Sequence, residues 1–328
     1  MQKTNDVIGM GNILMDFLVE VDDKHLIEFN LKKGEMHLVE HEKAQALLHK
    51  LKQYELKIEM VPGGSVANTL RGIGILGGNA ILCGKIGNDI HGEMYVEELK
   101  KHKVISRLSK HSAITGHALS FITPDSQRTF SVHLGAAINI SSEDILEEDI
   151  ATSKILHLEG YQLEGKTRET VLYAMEIARR NNTLISLDLS DPGVIRRNKS
   201  FLQKVVLDYV DILFVNEDEA FEFTGAHNES AARMLGEQVK IVIVKLGKKG
   251  SLICSEGKIT SIAPFTAKAI DTTGAGDTFA AGFLYGYCQG WSLEKAGKLG
   301  SLFASKVVEQ KGVRLLHFDG EGLKRLIS

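Results

Sequence analysis

The chain has 328 residues and a formal net charge of −3, a length that suits one large α/β domain with an insertion, or two domains. Its 43% hydrophobic and 25% charged residues are those of a globular protein whose core needs no disulfide support. The charge gives no field favouring nucleic acid, no stretch approaches the apolar length of a membrane span, and Cys83, Cys254 and Cys288 are too scattered for a disulfide framework, which points to a reducing, cytoplasmic setting.

Residues 1–5 are polar and show no apolar signal-peptide region. Residues 7–10 form an apolar run into Gly11-Asn12, a strand entering a turn. Strand patterns follow at 17–21, 35–39, 58–61, 117–122 and 129–133, with a helical pattern over 41–54. Thr123-Pro124-Asp125-Ser126 is turn chemistry and predicts a hairpin between the last two strands. Alternation over 129–134 predicts a sheet with one wet face or one face over a ligand.

The rhythm then changes. Residues 155–158, 184–187, 212–215 and 241–244 are continuous apolar runs, and 79–85 is of the same kind. Helical patterns at 168–181, 201–208, 217–224 and 229–238 separate them, and another lies at 293–310. This alternation predicts an α/β fold with a mostly parallel central sheet flanked by helices, and a small β-sheet lid inserted into it. The large domain is expected over 1–11, 41–110 and 136–328, and the lid over 12–40 and 111–135 with the strand near 58–62. Ligands of such sheets bind beyond the carboxyl ends of the strands, and Asp188, Asn216 and Gly247 follow strands there.

Asp271-Thr272-Thr273-Gly274-Ala275-Gly276-Asp277-Thr278-Phe279 carries the most chemistry. Two glycines let the backbone approach a ligand, and the helix from Phe279 onward starts with unpaired N–H groups suited to phosphate. Asp277 in that first turn repels an anion, which makes sense if it takes a proton from an attacking hydroxyl; it equally suits an acid complementing the helix dipole. Gly63-Gly64-Ser65 reads as a strand-to-helix turn, with Asn68 able to serve sugar hydroxyls. Asp16 is either a strand-face charge or an acceptor for vicinal hydroxyls.

Together, Gly9-Met10-Gly11-Asn12 with Asp16, Gly63-Gly64-Ser65-x-x-Asn68, Asn216-x-x-Glu219, Leu246-Gly247-x-x-Gly250 and the block from Asp271 to Asp277 occur in a set order. That order resembles the ribokinase superfamily, the PfkB carbohydrate kinases, over almost the whole chain. Gly-Met-Gly-Asn, the long run to Gly63, and Leu134-Gly135-Ala136-Ala137 after Arg128 look most like the adenosine and nucleoside kinase branch. The resemblance implies a ribokinase-like fold and ATP-dependent phosphoryl transfer to a hydroxyl of a nucleoside, adenosine-like, or of a ribose- or fructose-type sugar.

The resemblance also implies site roles. Asp277 would be the general base and the amides of Gly274, Ala275 and Gly276 the anion hole. Asp16, Gly63, Gly64 and Asn68 would hold the acceptor, with Arg128 reaching in from the lid. Asn216 and Glu219 would position Mg²⁺ through water, although an N-capped acidic helix start has the same residue types. Lys245, Gly247, Gly250 and Thr273 would line the nucleotide, Lys245 departing from the family's residue type, and Ser301 would lie near adenine. Asp188 would orient the phosphate side or cap a turn.

Phe17, Met36, His117, Leu119, Phe121, Phe130 and Leu134 would form either a slot for a nucleobase or the lid core. A dinucleotide-dependent oxidoreductase is permitted by the parallel sheet but disfavoured, because Gly9-x-Gly11 is not followed by Gly-x-x-Gly opening a helix. A non-catalytic homologue should have lost Asp277 or its glycines. The histidines show no ligand spacing and receive no metal role. An edge of the small sheet could pair with a second copy to give a homodimer.

Overall fold

The computed structural model describes every residue except Ser126, Leu316 and Ser328, so the last residue of the expected hairpin turn lies outside the described residues. In chain order the strands are β1 (Asn5–Met10), β2 (Leu14–Glu20), β3 (Met36–Leu38), β4 (Ile58–Pro62), β5 (Ala80–Gly87), β6 (Val104–His111), β7 (Gly116–Ile122), β8 (Arg128–His133), β9 (Ser153–Glu159), β10 (Leu184–Asp188), β11 (Ile212–Asn216), β12 (Ile241–Lys245), β13 (Ser251–Ser255) and β14 (Lys258–Ile262). The helices are α1 (Asp23–Glu28), α2 (His41–Gln53), α3 (Ser65–Ile75), α4 (Ile90–Lys101), α5 (Glu147–Ala151), α6 (Arg168–Arg180), α7 (Pro192–Tyr209), α8 (Glu217–Thr224), α9 (Asn228–Gly236), α10 (Ala275–Cys288), α11 (Leu293–Val307) and α12 (Gly320–Arg325).

The large sheet has nine strands in the order β14-β13-β12-β11-β10-β9-β1-β5-β6. It is parallel from β12 to β6, and β13 and β14 add an antiparallel edge. The continuous apolar runs follow from burial on both faces. Ile8, Met10, Leu156, Leu158, Leu213 and Val215 pack toward α6 to α9. Their neighbours Val7, Ile155, Ile212 and Phe214 pack toward α3, α10 and α11. The small sheet has five strands, β3-β8-β7-β2-β4.

Several features differ from the sequence expectation, among them helix α4 and the start of α10 at Ala275 rather than Phe279. Helix α7 begins at Pro192, well before the pattern over 201–208. Asp191 caps it by accepting the Val194 N–H at 3.0 Å, and a non-helical Asn198 breaks the periodicity behind the cap. The hairpin of β13 and β14 and the strand β6 carry no pattern that separated them from loop. Helix α2 contacts β8 of the small sheet, where His41 lies 5.5 Å from His133.

Candidate active site

Parallel pairing lines up chemistry at the carboxyl ends of the large sheet. Glu159 ending β9 pairs in register with Asp188 ending β10, and Asn216 ending β11 pairs with Lys245 ending β12. Above this row two glycine-entered helices meet. Gly64 precedes α3 at φ +89°, and a Cβ there would stand 2.4 Å from the Asn12 carbonyl oxygen. Gly274 precedes α10 at φ +74°.

Helical spacing puts Ser65, Asn68 and Thr69 on one face of α3, and that face meets Asp277. The Ser65 hydroxyl donates to Asp277 Oδ1 at 2.7 Å and the Asn68 amide to Oδ2 at 2.8 Å, while Thr69 donates to the Asp277 carbonyl at 3.1 Å. The helices approach closely because Gly72 faces Ala281, where a Cβ would come within 2.6 Å of the alanine methyl. Burial raises the Asp277 pKa above the usual carboxylate range, and the Asn68 and Ser65 hydrogen bonds pull against it.

Asp16 stands across from this pair. Its carboxylate fills the space beside Gly63, where a Cβ would fall 2.3 Å from Oδ2. Burial pushes its pKa up to about 7 against the attraction of Arg71 and Arg128. Arg128 donates to Ser120 Oγ at 2.9 Å and pairs with Asp271, whose carboxylate also accepts the N–H groups of Thr273 (3.0 Å) and Gly312 (2.6 Å). Arg128 therefore ties the small sheet to the loop that enters α10.

A cavity of about 490 Å³ opens on the other side of α10, lined among others by Lys245, Gly247, Gly250, Ala275, Gly276 and Ser301. Thr272 lines it, whereas Thr273 has its amide turned onto Asp271. The Ala275 N–H closes onto Thr272 O at 3.2 Å and that of Thr278 onto Gly274 O at 2.9 Å. Gly276 and Asp277 lie between, in the first turn, where N–H groups have no partner within the helix. Ser301 donates to the Ala263 carbonyl at 3.1 Å, so its hydroxyl is turned to the backbone. Lys245 pairs with Asp188 at 2.6 Å, and a Cβ on Gly276 would lie 3.1 Å from its Nζ.

Asn216 and Glu219 form a closed capping box. The Asn216 N–H and side-chain amide donate to the Glu219 carboxylate at 2.8 and 2.6 Å, and the Glu219 N–H donates to Asn216 Oδ1 at 2.8 Å. Burial holds the Glu219 pKa above the usual range, beside Lys245 and Asp188. Among the described residues no group of three or more His, Cys, Asp or Glu side chains is arranged to hold a metal.

Glu159 escaped the sequence reading. It is 1% exposed and accepts the N–H groups of Asn12 (2.8 Å) and Val66 (3.2 Å), and burial pushes its pKa up to about 7. The rule that singled out Asp188 and Asn216 as residues following buried strands also covers Glu159, which follows 155–158.

Register sorts the apolar residues of the small sheet. Asp16 pairs with Ala118, Ala118 with Val132, and Val132 with Leu38. One step along, Leu18, Ser120, Phe130 and Met36 form a row on the same face. Phe17, His117, Leu119 and Phe121 point the other way, where Phe121 meets Phe29 at 5.5 Å and His117 meets His133 at 5.6 Å. Of the seven candidate slot residues, Met36 and Phe130 share the face of Asp16. Those four are core, and Leu134 lies beyond the end of β8.

A family model described as pfkB family carbohydrate kinase matches residues 30–317. A 5-dehydro-2-deoxygluconokinase of Clostridium perfringens is 30% identical over 262 residues, covering 75% of this chain and 78% of the relative. A probable sugar kinase from Rhizobium etli superposes with a TM-score of 0.91 at 30% identity, covering 99% of each chain. The adenosine kinase from Sinorhizobium meliloti superposes with a TM-score of 0.89 at 29% identity, covering 98% of this chain and 99% of that one. No helix among the described residues is long and apolar enough to cross a membrane.

Proposed function

This chain belongs to the pfkB family of carbohydrate kinases, phosphotransferases with an alcohol group as acceptor, and we propose that it transfers the γ-phosphoryl group of ATP to a hydroxyl of a nucleoside. The observation that carries the acceptor is the face of the small sheet that bears Asp16. A carboxylate suited to ribose hydroxyls there shares its face with an apolar surface of partly exposed Phe130 and exposed Met36 and Leu38, and with Leu18, Ala118 and Val132, which are buried. A free sugar has no use for that surface, whereas a flat base does.

In this reading Asp277 accepts the proton of the attacking hydroxyl as its oxygen bonds to the γ-phosphorus and the bond to the β-bridging oxygen breaks, releasing ADP. Ser65 and Asn68 hold that carboxylate in place. The Gly276 and Asp277 amides and Lys245 face the phosphates, and Gly247, Gly250 and Ser301 line the nucleotide. Mg²⁺ bound to the phosphates supplies charge neutralisation when present. Asp188 and the Asn216–Glu219 box would hold such an ion only through its waters, because their carboxylate oxygens already accept hydrogen bonds within the protein.

Names among the relatives favour a second acceptor, a sugar acid or free sugar. ADP release measured over nucleosides and free sugars with Mg·ATP separates the two. A kcat/KM for adenosine or another nucleoside about 100-fold above any sugar supports the nucleoside reading. Turnover with sugars alone overturns it and leaves the phosphoryl chemistry standing.

A further inference from the structure

Arg71 is the largest side chain in the fully buried part of the core, 1% exposed, inside α3 and one turn beyond Asn68. Taking a guanidinium out of water is costly unless its donors are paired, so its bonds are informative. It donates to the Pro62 carbonyl at 2.7 Å and to the Asn68 side-chain oxygen. We infer that Arg71 is a positioning residue that fixes which way the Asn68 amide faces, and through it the orientation of the Asp277 carboxylate. This rests on the reading of Asp277 as the base.

The two ends of an Asn side chain are close in size and opposite in hydrogen bonding. With its oxygen on Arg71, Asn68 turns its NH₂ to Asp277 Oδ2 at 2.8 Å. The flipped amide would set oxygen against carboxylate oxygen at Asp277 and NH₂ against guanidinium at Arg71, two repulsive contacts in place of two attractive ones. Arg71 also places a cation beneath Asp16 and Asp277, with Tyr95, Glu98 and His102 the other titratable groups in its field. Orientation needs the planar fork, whereas the field needs only charge, so Lys and Met replacements separate the two.

The experiment uses the full chain with Arg71→Met, Arg71→Lys, Asn68→Ala and both double variants, measuring kcat, both KM values, the pH profile and Tm. The Asn68 side-chain amide resonances of wild type and single Arg71 variants are recorded without an acceptor. Arg71→Met is expected to lower kcat by about 10- to 100-fold with the ATP KM unchanged and the acid limb of the profile moved to higher pH. Arg71→Lys is expected to restore the limb but not kcat, and to shift or broaden the Asn68 resonances. In the Asn68→Ala background either Arg71 change should add less than about threefold.

Full additivity, or Asn68 resonances unmoved in Arg71→Lys, overturns the inference. So does a Tm loss with both KM values rising together. If Arg71→Met does not fold, the Lys cycle alone decides, because wild-type kcat in Arg71→Lys also overturns it. Failure of the wild type on every acceptor counts against the proposed function, while the resonances still test Arg71.

Discussion

Helices α3 and α10 begin with the same local device, a glycine at positive φ followed by a first turn of small residues, and put it to opposite uses. The end of α3 is closed by the protein itself. Its Val66 N–H donates to Glu159 at 3.2 Å, and Ser65 and Asn68 donate to Asp277. The end of α10 opens on the 490 Å³ cavity and carries the acid rather than the donors. A glycine-entered helix end is thus not in itself a ligand site. It becomes one where the rest of the fold leaves its amides facing a cavity, and it becomes a rigid donor set where the fold fills it.

Asp277→Asn breaks the comparison most sharply, because it removes the group both helix ends converge on. It should lower kcat by about 10³-fold, the usual scale for a general base, while ATP affinity measured by titration stays within about threefold. Wild-type turnover would remove the base assignment.

Glycine replacements then test which end is closed. Gly64→Ala forces a methyl to 2.4 Å from the Asn12 oxygen at φ +89°, so it should cost stability, about 2 kcal/mol or more, read as a lower Tm. Gly276→Ala meets only the Lys245 Nζ at 3.1 Å, the end of a flexible chain. It should leave Tm nearly unchanged and weaken ATP binding about tenfold or more by crowding the cradle. Equal Tm losses would make both ends structural.

Much of this arrangement is legible in the sequence. The block from Asp271 to Asp277 and the pair Gly63-Gly64 stand out because positive φ and close approach leave few residue choices. Strand-end residues such as Asp188 and Asn216 are found by position alone. What the sequence hides is partnership. Nothing local says that Lys245 finds Asp188, that Arg128 finds Asp271, or that Arg71 is buried rather than on the wet face of an amphipathic helix. The apolar residues of the small sheet were visible as a set, but their division between two faces needed the register, since a shift of one residue exchanges the faces.

The acceptor side is expected to respond to pH. Burial pushes the Asp16 pKa up to about 7, so as pH falls through that range its carboxyl takes up a proton and loses one acceptor site for a hydroxyl. The acceptor KM should rise as pH falls through that range and level off about 10- to 100-fold higher, the scale of one hydrogen bond to a charged group, with the ATP KM flat. Asp16→Asn should raise the acceptor KM and abolish that dependence. An unchanged slope in Asp16→Asn would move the titration to Glu159 or Glu219, the other carboxylates that burial pushes up to about 7.

The smallest effect belongs to Ser65→Ala, and it separates closing a helix end from tuning an acid. The Ser65 hydroxyl bonds the charged form of Asp277 and lowers its pKa against burial. Removing it leaves burial less opposed, so the Asp277 pKa should rise and the acid limb of kcat should move to higher pH. At high pH, where Asp277 is ionised in both proteins, kcat should differ by only a few-fold, because Asn68 still holds the second oxygen. On the acid limb itself the loss should approach tenfold, the scale of one hydrogen bond to a charged group. A uniform loss at every pH would mean that Ser65 only places Asp277, and that the donors of α3 do not set its proton affinity.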